Sequence, residues 1–389
     1  MACIVQKFGG TSVATLERIK NVAGIIARSY KKGQSIVVVV SAMAGVTNKF
    51  IGYVRNLNSH EGDPEYDQAV SSGELVTAGL LAISLKNCGL KARSYSSWQV
   101  PIITDSNYSN AVIQEVDPSN LKRDLAAGII PVICGFQGVN HEQRVTTLGR
   151  GGSDLTAVAV AASMNADLCE IYSDVDGVYT VDPNLYTEAR KINEISYREM
   201  LEMASHGAKI LQEQSVNYAM KKGVTIRVAS SFVNGSGTII SGKTSSKDFR
   251  GLAVTPSLSQ IKISHNGNLN GVINILEERF VKTEIIGQES SSRADILLDK
   301  KKTALALNIL KNCDFVRSAR QMVAPKPSSQ ISVIGLSISP ETGKFLVKIL
   351  GNKKIEVFKF SVADYKVNLI VTSNKLTEAI ESLHKYCGL

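Results

Sequence analysis

The sequence predicts an α/β domain with a largely parallel sheet, followed by two small α+β units of the ferredoxin-like kind. Three observations predict it. Strand-like runs alternate with helical patterns through residues 1–240, as a parallel sheet with crossover helices requires. Residues 234–250 are rich in Gly, Ser and Thr, which marks a linker. Beyond it a strand-helix-strand-strand-helix succession occurs twice. The expected domains are 1–245, 251–325 and 326–389. At 389 residues, with 44% hydrophobic and 20% charged, the chain has ordinary globular composition and ample length for a core.

In order, Cys3 to Phe8 reads as an apolar strand running into Gly9-Gly10-Thr11-Ser12. Thr11 or Ser12 is placed to cap a helix reaching about Tyr30. Ser35 to Ser41 is a β-branched run of the kind buried on both faces of a parallel sheet. Tyr66 to Leu85 has a helical pattern that contains Ser72-Gly73-Glu74. A carboxylate in so apolar a helix needs a partner or a ligand. Strands are expected at 92–96, 102–104, 129–135 and 145–148, with a helix over 118–127 and a turn at Phe136–Asn140. Gly149 to Asp154 is a charged glycine-rich turn, and the small residues Ala157 to Ala162 continue it as a helix. Leu168 to Tyr172 is a strand ending in Ser173-Asp174, with a turn at Asp176-Gly177. Helices over 196–205 and 208–222 and a strand over 225–229 complete the first domain. In the second part, Leu252–Ser264 reads as strand, 269–280 as helix, 282–288 and 294–298 as strands, and 303–312 as helix. The second pass has a strand at 330–335, a helix at 341–350, strands at 355–360 and 365–371, and a helix at 376–385.

Charge and cysteine usage exclude several classes. The net charge is +9, and residues 251–389 carry 19 Lys and Arg against 12 Asp and Glu. These lysines are dispersed apart from Lys300-Lys301-Lys302 and Lys353-Lys354, so a solvated face is favoured over a nucleic-acid surface. The longest apolar run, Ile36 to Val46, is too short to span a bilayer, and the N-terminus lacks the apolar core of a signal peptide. A cytoplasmic protein with no membrane partner is expected. The cysteines at 3, 88, 134, 169, 313 and 387 are scattered without a Cys-x-x-Cys pair, which favours reduced thiols over a disulfide frame or zinc site.

The chemistry-bearing stretches suit phosphate. Glycines let a backbone approach a ligand, and the first N–H groups of a helix form an anion site. Lys7 before Gly9-Gly10 adds an ammonium, although the P-loop pattern is absent. Strand ends are where open α/β sheets bind ligands, and Ser41, Thr47 and Asp174 stand at or just past such ends. The plainer reading of Gly149–Asp154 alone is a loop with a helix cap at Ser153 or Asp154.

Taken together, Lys7-Phe8-Gly9-Gly10-Thr11-Ser12, Ser41-Ala42-Met43, Gly73-Glu74, Gly149-Arg150-Gly151-Gly152-Ser153-Asp154, Tyr172-Ser173-Asp174-Val175-Asp176-Gly177-Val178-Tyr179 and Gly207-Ala208-Lys209 resemble the aspartate kinases, in the family's order and at similar spacing. The resemblance covers about 1–240 with high specificity, and 251–389 resembles the family's paired ACT domains more weakly. It implies a three-layer α/β/α amino-acid kinase fold followed by two ferredoxin-like ACT units. It implies transfer of the γ-phosphoryl group of ATP to the β-carboxylate of L-aspartate, the first step of the lysine, threonine and methionine branch. Lys7, Gly9 and Gly10 would hold the transferring phosphates, and Ser173, Asp174, Tyr179, Asp182 and Lys209 would contact the nucleotide. Ser41 and Thr47 would line the amino-acid site, Glu74 would bind the substrate ammonium, and Arg150 with Gly151 would take its α-carboxylate. Ser153 and Asp154 would organise the reacting centre, Asp154 by orienting Lys7 or a metal water. Mg²⁺ would be held mainly by the nucleotide phosphates, with no metal site of the protein's own. A homodimer or higher homo-oligomer is implied.

The tail departs from the family. Ser264-His265-Asn266-Gly267-Asn268 stands where an Asp-x-Pro-Gly turn is usual. Lys282-Thr283-Glu284-Ile285-Ile286 and Ile355-Glu356-Val357-Phe358 replace further usual stretches. Weakened or lost feedback by a lysine or threonine effector is expected. Two alternatives compete with this reading: a sister kinase acting on glutamate, acetylglutamate or UMP, and a non-catalytic sensor or RNA binder using the basic tail. Glu74, Arg150 and the ACT-like tail weigh against the first. The six motifs weigh against the second.

Overall fold

The computed structural model describes residues 2–208, 210–243, 248–279, 281–322, 327–336 and 338–389. The chain folds into two compact units. The first comprises Met1–Val178, Lys191–Leu201 and Lys209–Ser245; the second comprises Tyr179–Arg190, Glu202–Ala208 and Ser246–Leu389.

The first unit begins β1 (Cys3–Phe8), α1 (Leu16–Lys31), β2 (Ser35–Val40), α2 (Val46–Asn56), α3 (Pro64–Val70), α4 (Ser72–Asn87) and β3 (Ala92–Tyr95). It continues β4 (Ile102–Thr104), β5 (Ile113–Val116), α5 (Ser119–Ala126), β6 (Ile130–Cys134), β7 (Gln137–Val139), β8 (Val145–Thr147), α6 (Gly152–Met164) and β9 (Leu168–Ser173). After β10 (Val178–Tyr179), β11 (Lys191–Ile192), β12 (Glu194–Ser196) and α7 (Tyr197–Ser205), it ends in α8 (Glu213–Lys222), β13 (Ile226–Ser230) and β14 (Thr238–Ser241).

Its main sheet has the order β12-β14-β13-β9-β1-β2-β6-β3. The six strands from β13 to β3 are all parallel. β1 lies at the centre, with β2 on one side and β9 on the other, so the strand order reverses there. Such a switch point opens a crevice at the strands' carboxyl ends. The buried run Ile36–Val40 explains why β2 is central: every residue is β-branched and fully buried. Side chains alternate across the sheet. Ile4, Phe8, Ile36, Val38 and Val40 pack with α1 and α4 in one core. Lys7 faces the other side, where Asp154 of α6 meets it. The result is three layers, helix on sheet on helix. A second sheet, β5-β4-β7-β8, carries the loops before α6.

Several expectations shift. The long helix expected over 66–85 breaks at Ser71 into α3 and α4, so Gly73 and Glu74 occupy the first turn of α4. Thr15, not Thr11 or Ser12, caps α1, its hydroxyl accepting the Arg18 N–H at 3.3 Å. The helix expected from 208 begins at Glu213. Gln137–Val139, read as a turn, is strand β7, and Ile113–Val116 is a strand that the pattern did not announce. Part of the expected linker is strand β14, paired antiparallel to β13.

The second unit comprises β15 (Phe249–Thr255), β16 (Leu258–His265), α9 (Leu269–Glu278), β17 (Thr283–Ser290), β18 (Arg293–Asp299), α10 (Thr303–Lys311), β19 (Val316–Met322), β20 (Ser328–Gly335), α11 (Pro340–Asn352), β21 (Val357–Ala363), β22 (Lys366–Thr372) and α12 (Leu376–Tyr386). Two four-stranded antiparallel sheets form, β17-β18-β16-β19 and β15-β20-β22-β21, each with its own core against two helices. The run 252–264, read as one strand, is two. The first, β15, pairs with β20 of the later module. The boundary expected at 251 therefore moves past Thr255, and the first module is inserted within the second. Nor is 1–245 one continuous block: Tyr179–Arg190 and Glu202–Ala208 fold with the second unit. There Val181 joins the apolar core, and Thr180 Oγ1 lies 2.9 Å from His384 Nε2.

Candidate active site

The carboxyl end of β1 sets the site. Lys7 is buried, and its Nζ lies 2.5 Å from Asp154 Oδ1 in the first turn of α6. The turn after β1 is tied to both neighbouring strands. The Gly9 N–H donates to Tyr172 O at 3.1 Å, and the Ser41 N–H donates to Phe8 O at 3.1 Å. The Phe8 and Tyr172 rings stack at 4.8 Å beneath it. The Gly9 amide is thus already committed within the protein. The Gly10 N–H has no acceptor among the described residues and is the free donor of the pair. A side chain at Gly10 would press on Ala42 O, its Cβ at 3.0 Å.

Glu74 stands across this turn. Its Oε1 accepts the Ala42 N–H at 3.0 Å, while Oε2 is buried without a hydrogen-bond partner. Gly73 makes the arrangement feasible, because a Cβ there would lie 2.8 Å from the Ala42 Cβ and 3.0 Å from Val46. Burial pushes the Glu74 carboxyl up to about 7, opposed by the Ala42 N–H, its own backbone and the Lys7 charge. A buried carboxylate left half-satisfied is the feature expected where a cationic ligand group completes the site.

Asp154 and Ser153 are held by α6, which is buried from Gly152 to Ala161. Gly151 is its N-cap, at φ 73°, so neither Ser153 nor Asp154 is the cap. No side chain caps this end. A Cβ at Gly151 would collide with the Gln212 side chain. A Cβ at Gly135, past the end of β6, would meet Ser153 Cβ at 2.8 Å and Val40 O at 2.9 Å. Arg150 is exposed on the short loop before α6. Ser41 and Thr47 are half-buried, Thr47 in the first turn of α2, whose N-cap Gly45 also lacks a side-chain cap.

The end of β9 carries Ser173 and Asp174, joined by a hydroxyl–carboxylate bond of 3.0 Å. Arg227 bonds Glu170 and the Tyr172 hydroxyl behind this turn, and Gln6 donates to Glu170 at 2.8 Å. Tyr179 and Asp182 fold with the second unit, where Asp182 accepts from Asn184 in a turn. Lys209 lies outside the described residues. The structure thus gathers Lys7, Gly9, Gly10, Ser41, Glu74, Ser153 and Asp154 around the ends of β1 and β2. Burial pushes the Cys134 thiol up to about 12 and raises Cys169, which favours the protonated form of both at neutral pH. Among the described residues no three His, Cys, Asp or Glu side chains come together as a metal cage.

The model of the amino acid kinase family matches residues 2–230. The aspartokinase of Pseudomonas aeruginosa is 36% identical, in an alignment covering 99% of this chain and 97% of the relative. Among solved structures, E. coli aspartokinase III in complex with aspartate and ADP superposes with a TM-score of 0.79 at 24% identity, covering 98% of this chain and 99% of that one. The same enzyme in complex with lysine and aspartate gives 0.76 at 24% identity, covering 99% of each.

Proposed function

The chain belongs to the aspartokinases of the amino acid kinase family, and from that membership we propose that it transfers the γ-phosphoryl group of MgATP to the β-carboxylate of L-aspartate. The products are 4-phospho-aspartate and ADP. The observation that carries the reading is the presence of a buried ammonium and a half-satisfied buried carboxyl group around the turn after β1. Lys7 offers an ammonium to phosphate, and the unpartnered Oε2 of Glu74 offers an acceptor to the amino group of the substrate.

The reaction asks little proton chemistry of the protein. A β-carboxylate titrates near 4 and is ionised at neutral pH. One of its oxygens forms a bond to Pγ as the bond from Pγ to the bridging oxygen of ADP breaks. Catalysis then rests on in-line positioning and on neutralising charge on the transferring oxygens. Lys7 and the Gly10 N–H supply donors aimed at those oxygens. Asp154 holds the Lys7 ammonium in place, which favours its role as orienter of Lys7 over that of a partner to a metal water. Ser153 borders the reacting carboxylate. Ser41 and Thr47 line the amino-acid side, and Arg150 clamps the α-carboxylate through a bidentate fork beside Gly151. Ser173 and Asp174 face the nucleotide. Mg²⁺ would be carried mainly by the phosphate oxygens of ATP. When bound, the ion would offset the charge of the phosphate oxygens.

The second unit is read as regulatory and as the seat of a homodimer or larger assembly. In its first module His265 is fully buried, and its Nδ1 accepts the Gly267 N–H at 3.2 Å. Asn268 caps α9, and Glu284 accepts from Asn368 and Ser361 of the other module. His265 Nε2 and Thr283 Oγ1 remain buried without a hydrogen-bond partner, so the expectation of lost feedback rests on the sequence departures in this module: lysine and threonine at millimolar concentration are expected to leave the rate unchanged. Clear inhibition by either overturns that part. The six thiols, all free, suit a cytoplasmic setting.

Hydroxylamine traps an acyl phosphate as its hydroxamate. ATP-dependent hydroxamate with aspartate and none with glutamate is the expected result. No signal from folded protein that binds ATP would sink the reading, and a signal with glutamate instead would move it to a sister kinase.

A further inference from the structure

The loop that carries Arg150 is tied to a residue outside the site. Asp67 of α3 is fully buried. Its Oδ2 accepts the Ser109 N–H at 2.8 Å and the Thr147 N–H at 2.6 Å, and its Oδ1 accepts the Ser109 hydroxyl at 2.9 Å. The Gly62 N–H donates to that hydroxyl oxygen at 3.0 Å. No Lys, Arg or His pairs with Asp67 among the described residues, so neutral dipoles alone satisfy it. A buried carboxylate without a counter-ion is a costly way to fill space, because desolvation opposes its charged form. It is well suited to pinning two loops at once.

The two loops are those before β5 and before α6. Ser109 has a left-handed backbone at φ 68°, a conformation that needs support. Thr147 ends β8, and its carbonyl accepts the Ala111 N–H at 2.9 Å. Gly149 follows at φ 74°, so close to the other loop that a Cβ would lie 2.6 Å from Asn110 Oδ1 and 3.0 Å from Ser109 O. Arg150 is next, and Gly151 then opens the buried helix α6. The Arg150 loop therefore has two anchors: α6 on one side and the Asp67 bond to Thr147 on the other.

We propose that Asp67 is a positioning residue for aspartate: by stapling Ser109 and Thr147 it sets the loop from which Arg150 reaches the substrate α-carboxylate. The proposal rests on the reading of Arg150 as that clamp. A sub-ångström shift of such a group costs affinity for the one substrate it touches and leaves the other substrate alone.

The test compares Asp67→Ala, Asp67→Asn, Ser109→Ala and Arg150→Ala by KM for each substrate, calorimetric aspartate binding and thermal melting. Arg150→Ala is expected to raise the aspartate KM by about a hundredfold. Asp67→Ala raises it at least about tenfold, with the ATP KM changed by less than about twofold. Asp67→Asn keeps an oxygen for the two amides and turns its NH2 toward the Ser109 hydroxyl oxygen, so it restores affinity to within about threefold. In the Arg150→Ala background, Asp67→Ala adds less than about twofold, because it acts through the missing side chain. If Asp67→Ala does not fold, Ser109→Ala decides, with an aspartate KM raised about threefold at constant ATP KM. A variant that melts lower yet binds aspartate like the parent overturns the proposal. So does an Asp67 effect undiminished without Arg150. An Arg150→Ala enzyme of normal aspartate affinity overturns the clamp and the proposal together.

Discussion

Asp67 and Glu74 are buried carboxylates on consecutive helices of one unit, and they are finished differently. Asp67 has both oxygens satisfied by donors from two loops. Glu74 has one oxygen satisfied by the Ala42 N–H and the other left bare. Burial raises the pKa of both. Folded proteins seldom leave a buried polar atom without a partner. The difference therefore separates a charge that holds the scaffold from a charge that waits for a ligand. The scaffold charge is local to the loops it ties, and the waiting charge faces Lys7.

The largest effect expected comes from the cation in this comparison. Lys7→Ala should lower turnover by about a thousandfold or more, the scale on which removing a donor to developing charge acts. The substitution also leaves the buried Asp154 carboxylate without its ion partner, so the variant should melt lower than the parent, and turnover is compared at a temperature where it is folded. Turnover within about tenfold of the parent in folded protein would remove Lys7 from the chemistry.

The carboxylates should then part in opposite directions. Asp67→Ala leaves buried amides at Ser109 and Thr147 without an acceptor and should cost about 2–4 kcal/mol of stability. Glu74→Gln removes a half-paired buried charge, and its stability at neutral pH should equal or exceed the parent's. It should raise the aspartate KM by about tenfold or more while sparing the ATP KM. Denaturant melts and steady-state kinetics on the two variants settle this. Equal destabilisation of both would erase the distinction.

The most gradual effect is a slope in pH. The Glu74 carboxyl is raised from 4.5 to about 7, so between those values the folded state holds a proton that the unfolded state has released. Stability from this group is full below the unfolded value and is lost as pH rises toward the folded one, on the order of 3 kcal/mol in total. Glu74→Gln should flatten the profile in that window. An identical slope in both proteins would place the titration elsewhere.

The architecture around β1 was largely legible, because local signals coincide there. The run at 36–40 could only be a central strand, and each glycine turn follows a strand. What was not legible lies in partners distant in sequence. Strand β15 exchanges into the later module through pairing with Gln330–Gly335, and nothing near residue 252 announces it. Asp67 reads as one more polar residue in a helical pattern, since its bonds reach 42 and 80 positions away. The break at Ser71 is hidden because α4 is apolar on nearly every side. Glu74 could be marked as needing a partner, yet only the fold shows that Ala42 supplies half of it.

The most direct test is calorimetric titration of L-aspartate into the parent protein and Glu74→Gln, at pH values on either side of 7. If Glu74 receives the substrate ammonium, parent affinity rises with pH as the carboxyl ionises near 7, and the variant binds about tenfold more weakly with no such rise. The same affinity and the same pH dependence in both proteins would contradict the account.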